Sequence, residues 1–121
     1  MNKAFLVFIG GGLGSLVRYV ISVVVASSIS IAFPLATFIS NIVSSLVLGF
    51  VVTYSATIHS MSPLRLLLVT GFCGGLSTFS TFSYENVMLY KQTQYVYLFI
   101  NIVISIGACF LALFYLLKNQ P

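Results

Sequence analysis

The polar side chains that could do chemistry in this chain recur at helical spacing inside apolar segments. Thr37, Asn41 and Ser45 are four residues apart, and Asn101 and Ser105 repeat that interval near the C-terminus. Residues three or four apart share one face of a helix. The carboxamide of Asn41 carries two N–H donors, so its face could hydrogen-bond a small solute passing by. Close helix packing with interhelical hydrogen bonds explains the same stripes, and the spacing leaves both readings open.

A second pattern combines hydroxyl groups with aromatic rings. Ser80 and Thr81 lie between Phe79 and Phe82, which are three residues apart and share a helical face. An aromatic ring has an electropositive edge. A line of ring edges opposite hydroxyls and an amide would therefore stabilise a small anion without binding it tightly, as conduction requires. Aromatic residues at this spacing also occur as ordinary core or lipid-facing residues.

Of the charged residues that fall within the apolar segments, two are candidates for function. Arg18 lies well inside the first segment, where a guanidinium must snorkel, form an ion pair or face an aqueous cavity. As a fixed positive charge it could draw anions into a vestibule. Glu85, the only acidic residue, falls towards the end of the third segment. It could be an exposed residue at a helix end or a group beside a gate.

The chain lacks the parts of an enzyme or of a nucleic-acid-binding protein. His59 is the only histidine and Glu85 the only side-chain carboxylate, so no catalytic triad, histidine metal site or carboxylate pair can be assembled. The pair Gly74–Gly75 lacks the lysine of a nucleotide-binding P-loop. The net charge of +4 comes from dispersed basic residues. These favour anionic lipid headgroups as partners and argue against nucleic acid.

Composition points to a bilayer as the solvent. Hydrophobic residues make up 60% of the chain and charged residues 5%, whereas globular domains carry roughly 25% charged residues. Four segments reach the ~20 residues that a membrane-spanning helix needs. We therefore predict an all-α, four-span membrane domain over residues 1–121, with spans near residues 4–26, 34–54, 63–90 and 95–117. A modest positive-inside bias favours cytoplasmic termini and leaves insertion in both orientations possible.

The third span should be broken near its middle. Gly71, Gly74 and Gly75 precede a run of hydroxyl residues that begins at Ser77. Consecutive glycines followed by serine and threonine weaken a helix, so we predict a break over residues 74–78. Non-helical backbone at that depth must be shielded by protein or by a water-filled cavity. The alternative is an intact helix whose glycines allow close packing.

Three stretches of the chain resemble those of a known family. The segment from Gly71 to Ser83, GFCGGLSTFSTFS, followed by Glu85, resembles the signature of the Fluc/CrcB fluoride channels. The glycine-rich segment 10–15 that leads to Arg18 resembles that family's first span. Thr37 and Phe38 followed by Asn41 resemble its second-span motif, so that the resemblance covers essentially the whole chain.

The resemblance implies a fluoride-selective channel that exports fluoride passively and lowers its cytoplasmic concentration. It also implies an antiparallel, dual-topology homodimer in the bacterial plasma (inner) membrane, with two pores and a central structural sodium ion. Carried over by motif, the pore residues would be Asn41, Phe79, Ser80, Thr81 and Phe82, and the vestibule residues Arg18, Thr37, Glu85 and Ser105. Gly74 and Ser77 would offer backbone carbonyls to sodium.

The chain departs from the family pattern at two positions. Many relatives have threonine in place of Ser77, which leaves a carbonyl ligand unaffected. Cys109 stands where relatives are often polar, which puts its role in the vestibule in doubt.

Two other functions compete with a channel. A small multidrug-type exporter also has four spans, but it needs a carboxylate in the first span, where this chain has Arg18 and no acid. A membrane scaffold without transport activity would show no ion flux and would tolerate Asn41→Ala.

Overall fold

The structure, a computed structural model, consists of helices throughout its described residues, 2–55 and 62–120. His59 and most of the loop between the second and third spans lie outside these residues. The elements are α1 (Lys3–Ser28), α2 (Leu35–Tyr54), α3 (Pro63–Arg65), the π-helix π1 (Leu66–Cys73), α4 (Gly74–Leu76), α5 (Phe79–Lys91) and α6 (Tyr95–Leu117). By length and composition, α1, α2, the composite segment Pro63–Lys91 and α6 can each cross a membrane. The predicted all-α fold with four membrane-spanning helices is confirmed.

Helix starts follow from local capping. The side chain of Asn2 accepts a hydrogen bond from the Ala4 N–H at 3.1 Å, which satisfies one free donor at the start of α1. Ser62 accepts from the Arg65 N–H at 3.3 Å, and Pro63 occupies the first turn of α3, where a missing N–H costs nothing.

The third span is broken as predicted, but the break is confined to Ser77 and Thr78, whereas Gly74–Leu76, also predicted to be broken, form the short helix α4. Ser77 (ψ 154°) and Thr78 (φ −153°, ψ 123°) are extended, so α4 ends at Leu76 and α5 starts afresh at Phe79. Thr78 caps the new helix, because its Oγ1 accepts a hydrogen bond from the Thr81 N–H at 3.2 Å. The sequence did not predict the π-helical stretch Leu66–Cys73 that precedes the break.

The third span packs backbone to backbone against α1. A Cβ at Gly10 would lie 2.1 Å from the Leu67 carbonyl oxygen, and a Cβ at Gly14 would lie 2.1 Å from the Phe72 carbonyl oxygen. Gly75 would meet the Gly11 carbonyl oxygen at 2.2 Å. No residue larger than glycine fits these contacts, so the glycine spacing sets the position of the third span along α1.

Much of the described interior is polar, whereas many large hydrophobic side chains face outwards. Leu6, Leu76, Phe82 and Leu89 are buried together with hydroxyl and amide side chains: Thr37, Ser40, Ser44, Ser55, Asn101 and Ser105. A protein in water would bury the large hydrophobic residues instead. This distribution suits a protein surrounded by lipid, with polar groups placed between the helices.

Gly14→Ala should destabilise the protein, whereas Gly12→Ala should not. An added Cβ at Gly12 meets nothing within 4 Å, but at Gly14 it meets backbone that no side-chain rotation can move. We expect Gly14→Ala to cost at least the ~1–3 kcal/mol of ordinary overpacking. Thermal unfolding in detergent micelles, followed by circular dichroism, measures the difference. Equal midpoints for the two variants would contradict the close contact.

Candidate functional site

A cavity of about 340 Å³ opens beside the helix break. Side chains from α2, the break, α5 and α6 line this first cavity: Asn41, Ser45, Ser77, Thr78, Phe79, Phe82, Ser105, Ile106 and Cys109. Three predicted pore residues, Asn41, Phe79 and Phe82, therefore come together. Ser105, predicted for a vestibule, lies with them.

Asn41 is oriented by the break itself. The Thr78 N–H donates a hydrogen bond to Asn41 Oδ1 at 2.9 Å. Because a backbone N–H can only donate, the carbonyl oxygen of the carboxamide must face Thr78. The Asn41 amide nitrogen makes no hydrogen bond to any described residue, so its two donors are available in the cavity that Asn41 lines.

The N-terminus of α5 begins at the same cavity. The first N–H groups of a helix have no partner within the helix, and they carry a partial positive charge that attracts anions. Thr78 satisfies the Thr81 N–H, and Phe79, the first residue of α5, lines the cavity. The helix end and the Asn41 amide thus both favour negative charge at this place.

The two phenyl rings differ in exposure. Phe82 is buried at 9% exposure, whereas Phe79 is 79% exposed on the surface of the single chain. Their ring centroids are 5.9 Å apart, with planes inclined by 36°. Both rings border the cavity, but the Phe79 side is open.

Ser80 and Thr81 do not line the first cavity. Their hydroxyl groups lie beside that of Thr78, at 3.3 Å from Ser80 Oγ and 3.2 Å from Thr81 Oγ1. These hydroxyls form a separate polar group at the start of α5. Their predicted place in the pore stays a prediction.

The four predicted vestibule residues occupy three different places. Thr37 Oγ1 donates to Glu85 Oε1 at 2.7 Å, and Glu85 borders a second cavity of about 260 Å³. The other carboxylate oxygen of Glu85 is buried without a partner among the described residues. Ser105 lines the first cavity, and Arg18 is half-buried on α1 and lines neither.

The backbone carbonyls predicted to hold sodium lie at the break. In an unbroken helix the Thr78 N–H would bond to the Gly74 carbonyl, but here it bonds to Asn41. Gly74 is exposed, and a Cβ there would meet nothing within 4 Å. No cluster of three or more metal-binding side chains (His, Cys, Asp or Glu) occurs among the described residues. Hard cations bind carbonyl oxygens, and the Gly74 and Ser77 carbonyls stay predicted sodium ligands.

Sequence reasoning missed Asn86. Asn101 Nδ2 donates to Asn86 Oδ1 at 2.9 Å, and Ser105 Oγ donates to Asn101 Oδ1 at 3.0 Å. The signal was available, since Asn86 is a carboxamide one turn after Phe82 inside an apolar span. Its contact with α6 appears only in three dimensions.

Comparison with known families gives one match over nearly the whole chain. Residues 5–116 match the family described as "CrcB-like protein, Camphor Resistance (CrcB)". The chain belongs to this family.

Curated CrcB-family relatives carry the name "Fluoride-specific ion channel FluC". The protein of Methanococcus aeolicus is 41% identical over 115 residues, which cover 94% of this chain and 91% of the relative. That of Pyrococcus abyssi is 41% identical over 109 residues, covering 88% and 85%. That of Bacteroides fragilis is 39% identical over 115 residues, covering 89% and 91%. These matches confirm the family resemblance seen in the motifs.

Asn41→Leu should destabilise the fold of this CrcB-family chain. The variant leaves the part-buried Thr78 N–H without its acceptor, and we expect a cost of about 1 kcal/mol, the lower end of the range for a buried donor. Ser45→Ala is the control, because among the described residues the Ser45 hydroxyl bonds just to the Asn41 backbone carbonyl on its own helix, at 2.9 Å. Thermal unfolding of both variants measures the effect. A leucine variant as stable as Ser45→Ala would show that this bond does not hold the break.

Proposed function

We propose that the chain is a fluoride-selective channel through which fluoride leaves the cell passively, so that its cytoplasmic concentration falls. The observation that carries the proposal is the Asn41 carboxamide at the first cavity. Its oxygen accepts from the Thr78 N–H, and its own N–H groups have no partner within residues 2–55 and 62–120. The names of the curated relatives support fluoride as the ion.

The lining of the first cavity suits a small anion that must pass rather than stay. It offers amide and hydroxyl donors, phenyl rings and a helix N-terminus, and none of its lining residues is charged. Fluoride is the smallest halide and the strongest hydrogen-bond acceptor among them. Donors and ring edges can replace part of its water shell, whereas larger halides form weaker hydrogen bonds and gain less from the exchange.

The proposed pore comprises Asn41, Phe79, Phe82, Ser80 and Thr81, and the wet ends comprise Thr37, Glu85, Arg18 and Ser105. Support differs within the set. Asn41, Phe79, Phe82 and Ser105 share one cavity, and Thr37 is bonded to Glu85 at another. Ser80 and Thr81 would continue the path along the start of α5, where their hydroxyls cluster with that of Thr78.

A second copy of the chain would cover the open side of the site. Phe79 is exposed, and Gly74 faces open space. A carbonyl that has lost its helical partner is costly in hydrocarbon. We propose an antiparallel homodimer with two pores, since the weak charge bias permits both insertions. The bacterial plasma membrane is the proposed location.

A structural sodium ion would fit between the two copies. The Gly74 and Ser77 carbonyls of each copy would hold it, and its charge would neutralise carbonyl dipoles exposed by the break. The ion has no part in moving fluoride in this proposal.

Ion efflux from liposomes tests the proposed function. Vesicles containing the purified protein, loaded with potassium fluoride or potassium chloride and given a potassium carrier, should release fluoride far faster than chloride. Ion-selective electrodes measure both rates. Equal rates for the two halides, or no fluoride release, would contradict a fluoride channel. Phe79→Ile and Phe82→Ile should each slow fluoride release by about fivefold, for an edge contact worth ~1 kcal/mol.

Phe8→Ile is the control for the ring variants, since Phe8 is 75% exposed on α1 and lines neither cavity. If Phe79→Ile and Phe82→Ile release fluoride as fast as Phe8→Ile, the rings take no part in conduction.

Sodium should stabilise the protein against heat. When sodium replaces choline at constant ionic strength, the unfolding midpoint in detergent should rise, by the equivalent of ~2.7 kcal/mol at one hundred times the dissociation constant. Light scattering of the same sample should give the mass of two chains. A midpoint indifferent to sodium rejects the metal site, and a single-chain mass rejects the dimer.

A further inference from the structure

Three side chains, hydrogen-bonded in series, link the contact between α5 and α6 to the first cavity. Asn86 on α5 accepts from Asn101 on α6, and Asn101 accepts from Ser105 one turn further along α6. Asn101 is 1% exposed and Ser105 5% exposed. Ser105 is the member that lines the cavity, so this hydrogen-bonded series ends at the proposed ion site.

In the structure the hydrogen bonds of this series all point away from the cavity, from Ser105 to Asn101 and from Asn101 to Asn86. A serine hydroxyl has one proton, and that of Ser105 is directed at Asn101 Oδ1, 3.0 Å away. The hydroxyl therefore presents lone pairs to the cavity, and these repel an anion. If this proton alone turned towards the cavity, Asn101 Oδ1 would be buried without a donor, at a cost of about 1–3 kcal/mol.

Reversing the direction of both hydrogen bonds together avoids that cost. If both carboxamides rotate by a half turn, Asn86 Nδ2 donates to Asn101 Oδ1, and Asn101 Nδ2 donates to Ser105 Oγ. Both contacts are kept, because the oxygen and nitrogen of a carboxamide occupy nearly the same space. The terminal torsion of asparagine is broad and roughly two-fold, so both settings are accessible. The Ser105 proton is then free to point into the cavity.

We propose that Asn86 and Asn101 are positioning residues that form a reversible hydrogen-bond relay, and that an anion in the first cavity is bound with the relay reversed and Ser105 donating to it. This inference rests on the proposed function, which identifies the anion as fluoride. With the cavity empty, the relay returns to the polarity seen in the structure, and no buried polar atom of the relay is left without a partner. Ser105 thus donates into the cavity only when an anion is present, and to Asn101 otherwise.

Fluoride titration of the protein labelled with ¹⁵N at asparagine tests the relay directly. Fluoride should move the side-chain amide signals of Asn41, Asn86 and Asn101 with one midpoint. Asn2 and Asn119 lie near the chain ends and serve as unmoved references. In Ser105→Ala, fluoride should still move the Asn41 signal but no longer those of Asn86 and Asn101. Asn86→Gln identifies its own signal by removing it.

Each outcome decides one claim. If fluoride moves only the Asn41 signal, or if Ser105→Ala leaves the response of Asn86 and Asn101 unchanged, the relay is overturned while fluoride binding stands. If fluoride moves no signal and the unaltered protein releases no fluoride, the proposed function and the relay fail together. Because the first titration uses the unaltered sequence, it decides the matter even if Ser105→Ala does not fold.

Discussion

The break in the third span depends on one hydrogen bond between two spans. Hydrocarbon offers no partner to backbone polar groups, so extended residues at membrane depth persist only where protein or water satisfies them. The Thr78 N–H finds its acceptor in Asn41 Oδ1 at 2.9 Å, and the Thr78 hydroxyl oxygen caps the Thr81 N–H at 3.2 Å. The first bond also orients Asn41, since an engaged oxygen leaves only N–H groups for the cavity. One contact therefore serves both the fold and the candidate site.

Backbone contact with α1 holds the segment before the break in place. A Cβ at Gly14 would lie 2.1 Å from the Phe72 carbonyl oxygen across the interface, and a Cβ at Gly75 would lie 2.2 Å from that of Gly11. Leu76, the last residue before the break, is fully buried. Helices in such close contact have little freedom to slide, because any shift drives backbone atoms together. The break therefore starts at a fixed height along α1. This also fixes the height of the cavity-lining residues at the break and at the start of α5.

Local signals explain how much of the molecule could be predicted from the sequence. The four spans follow from composition, and the break follows from glycines next to hydroxyl residues, so both were found. The π-helix Leu66–Cys73 depends on its fit against α1, which no local pattern encodes. The hydrogen bond of Asn86 depends on the packing of α5 against α6, which brings Asn86 Oδ1 to 2.9 Å from Asn101 Nδ2. The resemblance grouped Thr37 with Ser105 as vestibule residues, but in the structure Ser105 lines the first cavity and Thr37 bonds to Glu85, which lines the second.

The separation of charge from the first cavity follows from the cost of ions in a membrane. Arg18 and Glu85 lie outside it, and its lining offers only neutral dipoles and rings. A lysine or arginine there would hold an anion too firmly for passage, and a carboxylate would repel it. Partial charges on N–H groups, hydroxyls and ring edges give an attraction between those limits. Part of this lining is satisfied when no ion is present, since Asn41 Oδ1 accepts from the Thr78 N–H and the Ser105 hydroxyl donates to Asn101 Oδ1. A polar lane can therefore exist inside an apolar protein without a permanent ion to stabilise it.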